Sequence, residues 1–448
     1  MRDFISKIAS SVLGSGTAAR IARSVVGSAG VQASASLLSF VVGIILARNL
    51  GPEGYGVYAY AFAILMLLMV LAEAGVPTLL IREVAAAEGR QDWGVLKGAI
   101  KRGIQFVGLI SATISLIGFV ILSFITDQIS DDYVHTIAIM LFMLPVAVLS
   151  KTLSYGLRGL QKVVQAQAIE LLLRHAVVIA VIGAIALYFS ELLQPWVGMA
   201  AQLAAVALSA LIATLTLRQS LPKQCLNAVP QFKNTEWFKS ALPFTLIGGA
   251  LILNKSVYIL MIGWFLGASD VGIYRVAVQG ATLVAFVLGA VSAAVGPTLA
   301  KLNAQGETAK LQKLVSRTVQ LIAVPSAIIA GALIFEGDYV LNLIFGPEFI
   351  GASLALAILC VGQFIVAVLG ISGPLLSMSG FEAQISKSIW WAAFANIVLN
   401  ASLIPNFGIA GAATATAVTL SGWSVYMVWL SFKKLRIVIL PIEITPTN

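Results

Sequence analysis

The sequence predicts an all-α polytopic membrane protein of about twelve transmembrane helices, arranged as two parallel six-helix bundles around a central cavity. Three observations carry that prediction. First, 59% of the 448 residues are hydrophobic and only 10% are charged, with a mean hydropathy of +0.97; soluble proteins average about 25% charged residues. Second, apolar runs of the ~20 residues needed to cross a bilayer recur along the chain, while the alternation of a transmembrane strand is absent. Third, the chain repeats itself. Leu50-Gly51-Pro52-Glu53-Gly54-Tyr55-Gly56-Val57-Tyr58 returns as Leu266-Gly267-Ala268-Ser269-Asp270-Val271-Gly272-Ile273-Tyr274. Pro77-Thr78-Leu79 returns as Pro297-Thr298-Leu299, and Gly159-Leu160 as Gly380-Phe381, at nearly constant offsets of about 216, 220 and 221 residues. A membrane protein of two similar halves follows the usual plan of a secondary transporter, with the substrate held between the halves.

The elements follow in order. Residues 1–24 carry Arg2, Lys7, Arg20 and Arg23 among small residues and read as a cytoplasmic lead-in helix, not a cleaved leader. Span one, 25–47, opens onto a loop with Arg48 and Glu53. Span two, 55–81, holds Glu73 and Pro77 and is followed by Arg82, Arg90, Lys97, Lys101 and Arg102. Span three, 103–126, emerges at Asp127, Asp131 and Asp132. Span four, 133–157, contains Pro145, has Lys151 just inside its end, and returns to Arg158 and Lys162. Span five, 163–189, holds Glu170, Arg174 and His175 and emerges at Glu191; span six, 195–217, returns to Arg218, Lys223, Lys233 and Lys239. The polar segment 218–239, with Pro222 and Pro230, is the cytoplasmic linker between an N-terminal bundle, 25–217, and a C-terminal bundle, 240–432.

The second half repeats the pattern. Span seven, 240–265, holds Pro243, Asn254 and Lys255 and leads to Asp270. Span eight, 271–300, has Arg275 near its outer end and Pro297 within it, and is followed by Lys301, Lys310, Lys313 and Arg317. Span nine, 318–335, holds Pro325 and emerges at Glu336, Asp338 and Glu348. Span ten, 349–378, holds Pro374; Lys387 follows it, at the start of span eleven, 383–404. Span twelve, 408–432, runs into a cytoplasmic tail, 433–448, with Lys433, Lys434 and Arg436. Basic loops thus alternate with acidic ones, and the positive-inside rule puts both termini in the cytoplasm. One span more or fewer would scramble the alternation.

Other function classes fall away. The formal charge of +9 is spread over many short loops, which fits topology and not a nucleic-acid partner. No G-x-x-x-x-G-K-[ST] phosphate cradle is present, so no ATPase domain. Cys225 and Cys360, and His135 and His175, lack metal-ligand spacing, and no cofactor is expected.

A charge at bilayer depth costs about 2.5–3.5 kcal/mol on insertion scales, so deep charges are site candidates. Lys255 is too deep to snorkel, has no acid within four residues, and is expected to face a polar cavity. Glu170 and Arg174 stand at i and i+4 and either neutralise each other or serve the site. Arg48 and Arg275 either snorkel to the outer headgroups or bind substrate. Glu73 is satisfied near Pro77, is protonated by burial, or couples transport to an ion. Cations at depth favour an anionic substrate such as phosphate or pyrophosphate. The expected substrate-binding set is Lys255, Arg174, Arg48 and Arg275, and the expected ion-coupling pair is Glu73 and Glu170.

The run Ala47-Arg48-Asn49-Leu50-Gly51-Pro52-Glu53-Gly54-Tyr55-Gly56-Val57-Tyr58 resembles the opening of Wzx-type oligosaccharide flippases. Leu157-Arg158-Gly159-Leu160-Gln161-Lys162, Ile344-Phe345-Gly346-Pro347-Glu348-Phe349 and Gly408-Ile409-Ala410-Gly411-Ala412-Ala413-Thr414-Ala415-Thr416 are similar to later parts of that pattern. The resemblance implies the multidrug/oligosaccharidyl-lipid/polysaccharide exporter superfamily, whose fold is two six-helix bundles in a V around a cavity. It implies a non-enzymatic flippase that moves polyprenyl-pyrophosphate-linked repeat units from the cytoplasmic to the outer leaflet of a bacterial inner membrane. Its implied partners are the lipid-linked oligosaccharide, membrane lipids and polysaccharide polymerase and assembly proteins, with the flippase a monomer. The rival readings are a multidrug or cation antiporter of the same superfamily, a membrane polymerase or ligase, and a non-transporting scaffold for glycan assembly.

Overall fold

A computed structural model of the chain describes residues 17–377 and 379–439. Of the expected lead-in helix and tail, residues 1–16 and 440–448 lie outside the described residues. Among the described residues the secondary structure is helical throughout, in the order α1 (Thr17–Glu73), α2 (Val76–Arg90), α3 (Trp93–Ile125), α4 (Asp131–Gly159), α5 (Val163–Gln167), a π turn (Ala168–Leu173), α6 (Arg174–Tyr188), α7 (Pro195–Ser220) and α8 (Lys223–Asn227). There follow α9 (Asn234–Phe265), α10 (Ala268–Ala304), α11 (Thr308–Phe335), α12 (Gly337–Ile344), α13 (Ser353–Leu369), α14 (Ser372–Ser377) and α15 (Glu382–Leu435).

Ten described helical stretches are long and apolar enough to cross a membrane. Two of them, Val26–Glu73 with 48 residues and Gln384–Leu435 with 52, are about twice too long for a single pass at ~1.5 Å per residue through ~30 Å of hydrocarbon. Each is broken by one glycine with positive φ, Gly51 (φ 64) and Gly408 (φ 58), and so supplies two passes. The expected number of passes is reached in this way, with the breaks where spans one and two, and eleven and twelve, were separated.

Several boundaries differ from expectation: the helices of spans three and nine begin ten residues earlier, at Trp93 and Thr308, and two spans are broken. Span two ends at Glu73, not at residue 81, and α2 begins at Val76 with Pro77 in its first turn. Proline lacks the N–H that a helix start leaves unused anyway, so Pro77 opens a new helix more readily than it sits inside an old one. Span ten is a 3-10 turn (Pro347–Ala352), then α13 and α14, the last carrying Pro374. Pro145, Pro243 and Pro325 remain inside helices, as does Pro405.

The chain forms two compact units. One contains Met1–Ile45 and Ile64–Gly249; the other contains Leu46–Ala63 and Ala250–Asn448. In the first unit α4 packs along α7, α3 and α2. The segment expected to be a linker is strapped to α3: the Gln231 N–H donates to Gly94 O at 2.9 Å, and Lys97 Nζ donates to Leu226 O and Ala228 O at 2.5 and 3.0 Å. Arg102 holds Asn234 at 2.8 Å and lies over the Phe232 ring. In the second unit α10, α11 and α14 meet around Val295, Leu299, Val315, Val319, Ile371 and Leu375. The start of the tail joins this core through buried Ile437 and Ile439, and Gln312 clamps Val438 by its N–H and its carbonyl at 2.8 and 2.7 Å.

The repeated motif has a structural meaning inside this second unit. Gly51 and Gly267, equivalent in the two copies, both take positive φ (64 and 104), which is glycine's territory. Five residues on, Gly56 and Gly272 lie against each other. A Cβ on Gly56 would overlap the Ala268 carbonyl oxygen and lie 3.1 Å from the Gly272 nitrogen. A Cβ on Gly272 would overlap the Pro52 carbonyl oxygen and lie 3.1 Å from the Gly56 nitrogen. Since Ala268 is the equivalent of Pro52, the contact is reciprocal: the two copies cross on a local two-fold axis that runs between their glycines.

Candidate functional site

Lys255 sits near the middle of α9 and is exposed. At 3.6 residues per turn, positions nine residues away lie on the opposite side of a helix. Those positions are Leu246 and Trp264, 52% and 81% exposed, which mark an apolar outer face. On the side of Lys255, the next turns toward the end of α9 are covered: Tyr258, Ile259 and Ile262 are buried. On the other side of Lys255 along the same face Leu251 is 43% exposed, and the ammonium has no ion-pair partner among the described residues. Beside it, Asn254 Nδ2 donates to Ala250 O and Ile389 O at 2.9 and 3.2 Å, tying this turn of α9 to α15.

Arg275, in the same unit, does not reach for headgroups. Its guanidinium donates to the phenol oxygens of Tyr55 and Tyr258, and Tyr58 lies within electrostatic reach. The Tyr55 hydroxyl donates to Gln279 Oε1 at 3.2 Å. Tyr258 meets Tyr274 edge to face at 5.3 Å, and the Tyr274 hydroxyl meets Thr416 Oγ1 at 3.2 Å. Arg48 donates to Leu343 O at 2.6 Å, in the last turn of α12. A cation there compensates unpaired carbonyls and the negative end of the helix dipole.

The first unit gathers a second group of charges. Lys151 Nζ lies 2.8 Å from the Glu73 carboxylate, and Arg158 lies 2.6 Å from Glu170. Between them on α4 stands Tyr155, with the Arg158 guanidinium 4.3 Å and the Lys151 ammonium 5.9 Å from its ring centre. Lys151 also feels Glu170, and the two glutamates feel each other, so the five side chains form one electrostatic network. Nearby, Arg174 Nε donates to Gln202 Oε1 at 3.0 Å, and Ser28 donates to Gln167 at 2.6 Å.

Glu170 thus takes Arg158 as an ion-pair partner. The π turn favours this pairing. Its i→i+5 hydrogen bonds widen the helix across Ala168–Leu173, and the i, i+4 register that would set Glu170 under Arg174 is lost. Glu73, likewise, is held by a lysine and not by the backbone near Pro77. The expected coupling residues Glu73 and Glu170 are brought together. Arg275 and Arg48 make separate contacts in the other unit, which also holds Lys255.

Sequence reasoning treated Lys151 and Arg158 as edge charges and passed over Tyr155. The signal was available: 151, 155 and 158 are i, i+4 and i+7, one face of a helix. Among the described residues no three His, Cys, Asp or Glu side chains cluster as metal ligands.

Comparison with known proteins fits this architecture. A family model described as polysaccharide biosynthesis protein matches residues 21–303. The probable low-salt glycan biosynthesis flippase Agl15 of Haloferax volcanii is 29% identical over 201 residues, 43% of this chain and 41% of that protein. The probable flippase AglR of the same organism is 26% identical over 176 residues, 38% of this chain and 36% of that protein. The match therefore spans about two-fifths of the length of these curated relatives. Among solved structures, a multidrug resistance MATE family transporter of the MOP superfamily, in an inward-facing conformation, superposes with a TM-score of 0.70 at 14% identity, covering 90% of this chain and 94% of that one. The lipid II flippase MurJ also gives 0.70 at 14% identity, over 89% of this chain and 86% of that one. The fold is shared with both.

Proposed function

We propose a function on this premise: the chain belongs to the polysaccharide biosynthesis protein family. It is a multi-pass membrane flippase that carries polyprenyl-pyrophosphate-linked oligosaccharide repeat units from the cytoplasmic to the outer leaflet by alternating access. The observation that carries this reading is Lys255, a cation in the middle of an apolar helix and without a counter-ion among the described residues. Leaving such a charge unpaired at depth is costly, and a diphosphate headgroup supplies the missing partner while the prenyl tail stays in lipid.

Arg174, which donates to Gln202 within the first unit, is a further substrate-binding residue. Arg275 and Arg48 are already engaged by phenols and by a helix end, so their part in binding is secondary. Glu73 and Glu170 couple transport to ion movement. The basic loops put both termini in the cytoplasm, with polymerase and assembly proteins receiving the product on the other side.

The experiment is leaflet transfer of a fluorescent polyprenyl-pyrophosphate oligosaccharide in proteoliposomes, with a cationic dye tested in parallel. Transfer of the glycolipid but not the dye is expected. Dye transport alone, under imposed proton or sodium gradients, would move the chain to the antiporters.

A further inference from the structure

The network on α4 has properties that a stabilising salt bridge does not need. Both glutamates ride on irregular backbone. Glu73 is the last residue of α1, and the two residues after it are left-handed, Ala74 at φ 43 and Gly75 at φ 72. A left-handed alanine is strained, and such strain persists where function keeps it. Glu170 lies inside the π turn Ala168–Leu173, a rare distortion that concentrates at functional sites. The cations, in contrast, stand on regular helix in α4. They also have spare capacity. Arg158 Nε is buried and has no acceptor among the described residues. All four charged side chains keep some exposure, between 13% and 31%, so a ligand can reach them.

From this geometry we propose that Lys151 and Arg158, flanking Tyr155, form an oxyanion-binding site that Glu73 and Glu170 occupy in the unliganded protein as built-in competitors. A phosphate-type group enters by exchange: it takes the ammonium and the guanidinium, including the unused Nε, and each carboxylate swings away on its irregular backbone. The chemistry is that of carboxylate and phosphate competing for the same charge-assisted hydrogen bonds, for which an arginine fork and a lysine ammonium suit both. Exchange also explains how a cationic site persists within an apolar bundle: it is neutralised when empty and stays neutralised when filled. This inference rests on the flippase reading for the identity of the natural anion, a diphosphate headgroup, and assigns to it three residues of α4.

The test is binding of inorganic pyrophosphate, by calorimetry, to the full chain in phosphatidylcholine nanodiscs. Glu73→Gln and Glu170→Gln each remove one competitor and keep the side-chain shape. If the paired state holds about nine-tenths of the molecules, each substitution tightens binding about tenfold, because the apparent dissociation constant scales inversely with the fraction of open sites. Lys151→Gln and Arg158→Gln weaken it by at least as much. The gain persists in a Lys255→Ala background, which separates this site from Lys255. A merely structural pair would lower thermal stability in all four variants and tighten binding in none. Should Glu170→Gln fail to fold, Glu73→Gln carries the same expectation.

Repeating the titration with phosphatidylglycerol in the disc identifies the source of the anion. Loss of affinity assigns the site to lipid headgroups, and unchanged affinity assigns it to the transported diphosphate. Pyrophosphate binding no tighter in either glutamine variant than in the wild type overturns the proposal. The flippase reading fails separately, on absence of leaflet transfer, whatever the binding result.

Discussion

Replacing Gly272 by alanine tests the reciprocal crossing of the two sequence repeats. The added methyl would overlap the Pro52 carbonyl oxygen and approach the Gly56 nitrogen to 3.1 Å. Both obstacles are backbone, so no side chain can rotate away; the helices themselves must part. Overpacking of a close-packed contact costs about 1–3 kcal/mol, and a backbone obstacle belongs near the top of that range. At ~2–3 kcal/mol the folding equilibrium shifts by roughly 30- to 150-fold. The assay is equilibrium unfolding in mixed micelles, followed by tryptophan fluorescence. Gly56→Ala is expected to cost a similar amount, since it meets Ala268 in the same way. The double variant is expected to cost clearly less than the two singles together, because the first methyl has already parted the helices. Gly289→Ala, in the same helix α10 but with no atom within 4 Å of the new methyl, is the control; it is expected to be neutral or to stabilise by a few tenths of a kcal/mol. Wild-type stability in Gly272→Ala, or simple additivity in the double variant, would refute the crossing.

Two further outcomes are expected. Arg48→Gln removes the donor to Leu343 O at the end of α12, and is expected to lower stability by about 0.3–1 kcal/mol, as read by the same unfolding assay. Burial pushes the Cys225 thiol up, with Lys97 pulling it partly back. The neutral thiol is therefore favoured in the folded state, maleimide labelling at neutral pH is expected to be much slower than in urea, and the stability this group contributes is lost as pH rises past the ordinary thiol range. Equal labelling rates in the folded and unfolded chain would mean that the segment around Lys223–Asn227 is not packed on α3.

Much of the fold was legible because bilayer physics leaves few choices. Runs of apolar residues, bounded by basic loops at one end and acidic loops at the other, define passes and sides, and the kinks at Gly51 and Gly408 fall where spans one and two, and eleven and twelve, were divided. The repeat was visible too, but a one-dimensional pattern does not say that its two copies touch; that Gly56 and Gly272 meet emerges only from packing. Proline misled at Pro77, read as a kink inside a span where it opens a new helix. The candidate site was half legible. Lys255 stood out because nothing near it in sequence could neutralise it. Glu73 and Glu170 stood out as acids at depth, but their partners did not, since a carboxylate's choice of cation depends on helix register. The π turn that turns Glu170 toward Arg158 has no clear sequence signature. Lys151 and Arg158 lay close enough to a basic loop to pass as topology signals.

The most direct test of the central claim compares the initial rate of leaflet transfer of a polyprenyl-pyrophosphate oligosaccharide in proteoliposomes bearing wild type, Lys255→Ala and Lys255→Arg, at matched amounts of folded protein. The account expects transfer by the wild type, a loss of at least about tenfold in Lys255→Ala, the worth of ~1.4 kcal/mol of charge-assisted contact, and substantial recovery in Lys255→Arg. Equal rates for wild type and Lys255→Ala would contradict the claim that this cation holds the substrate's headgroup.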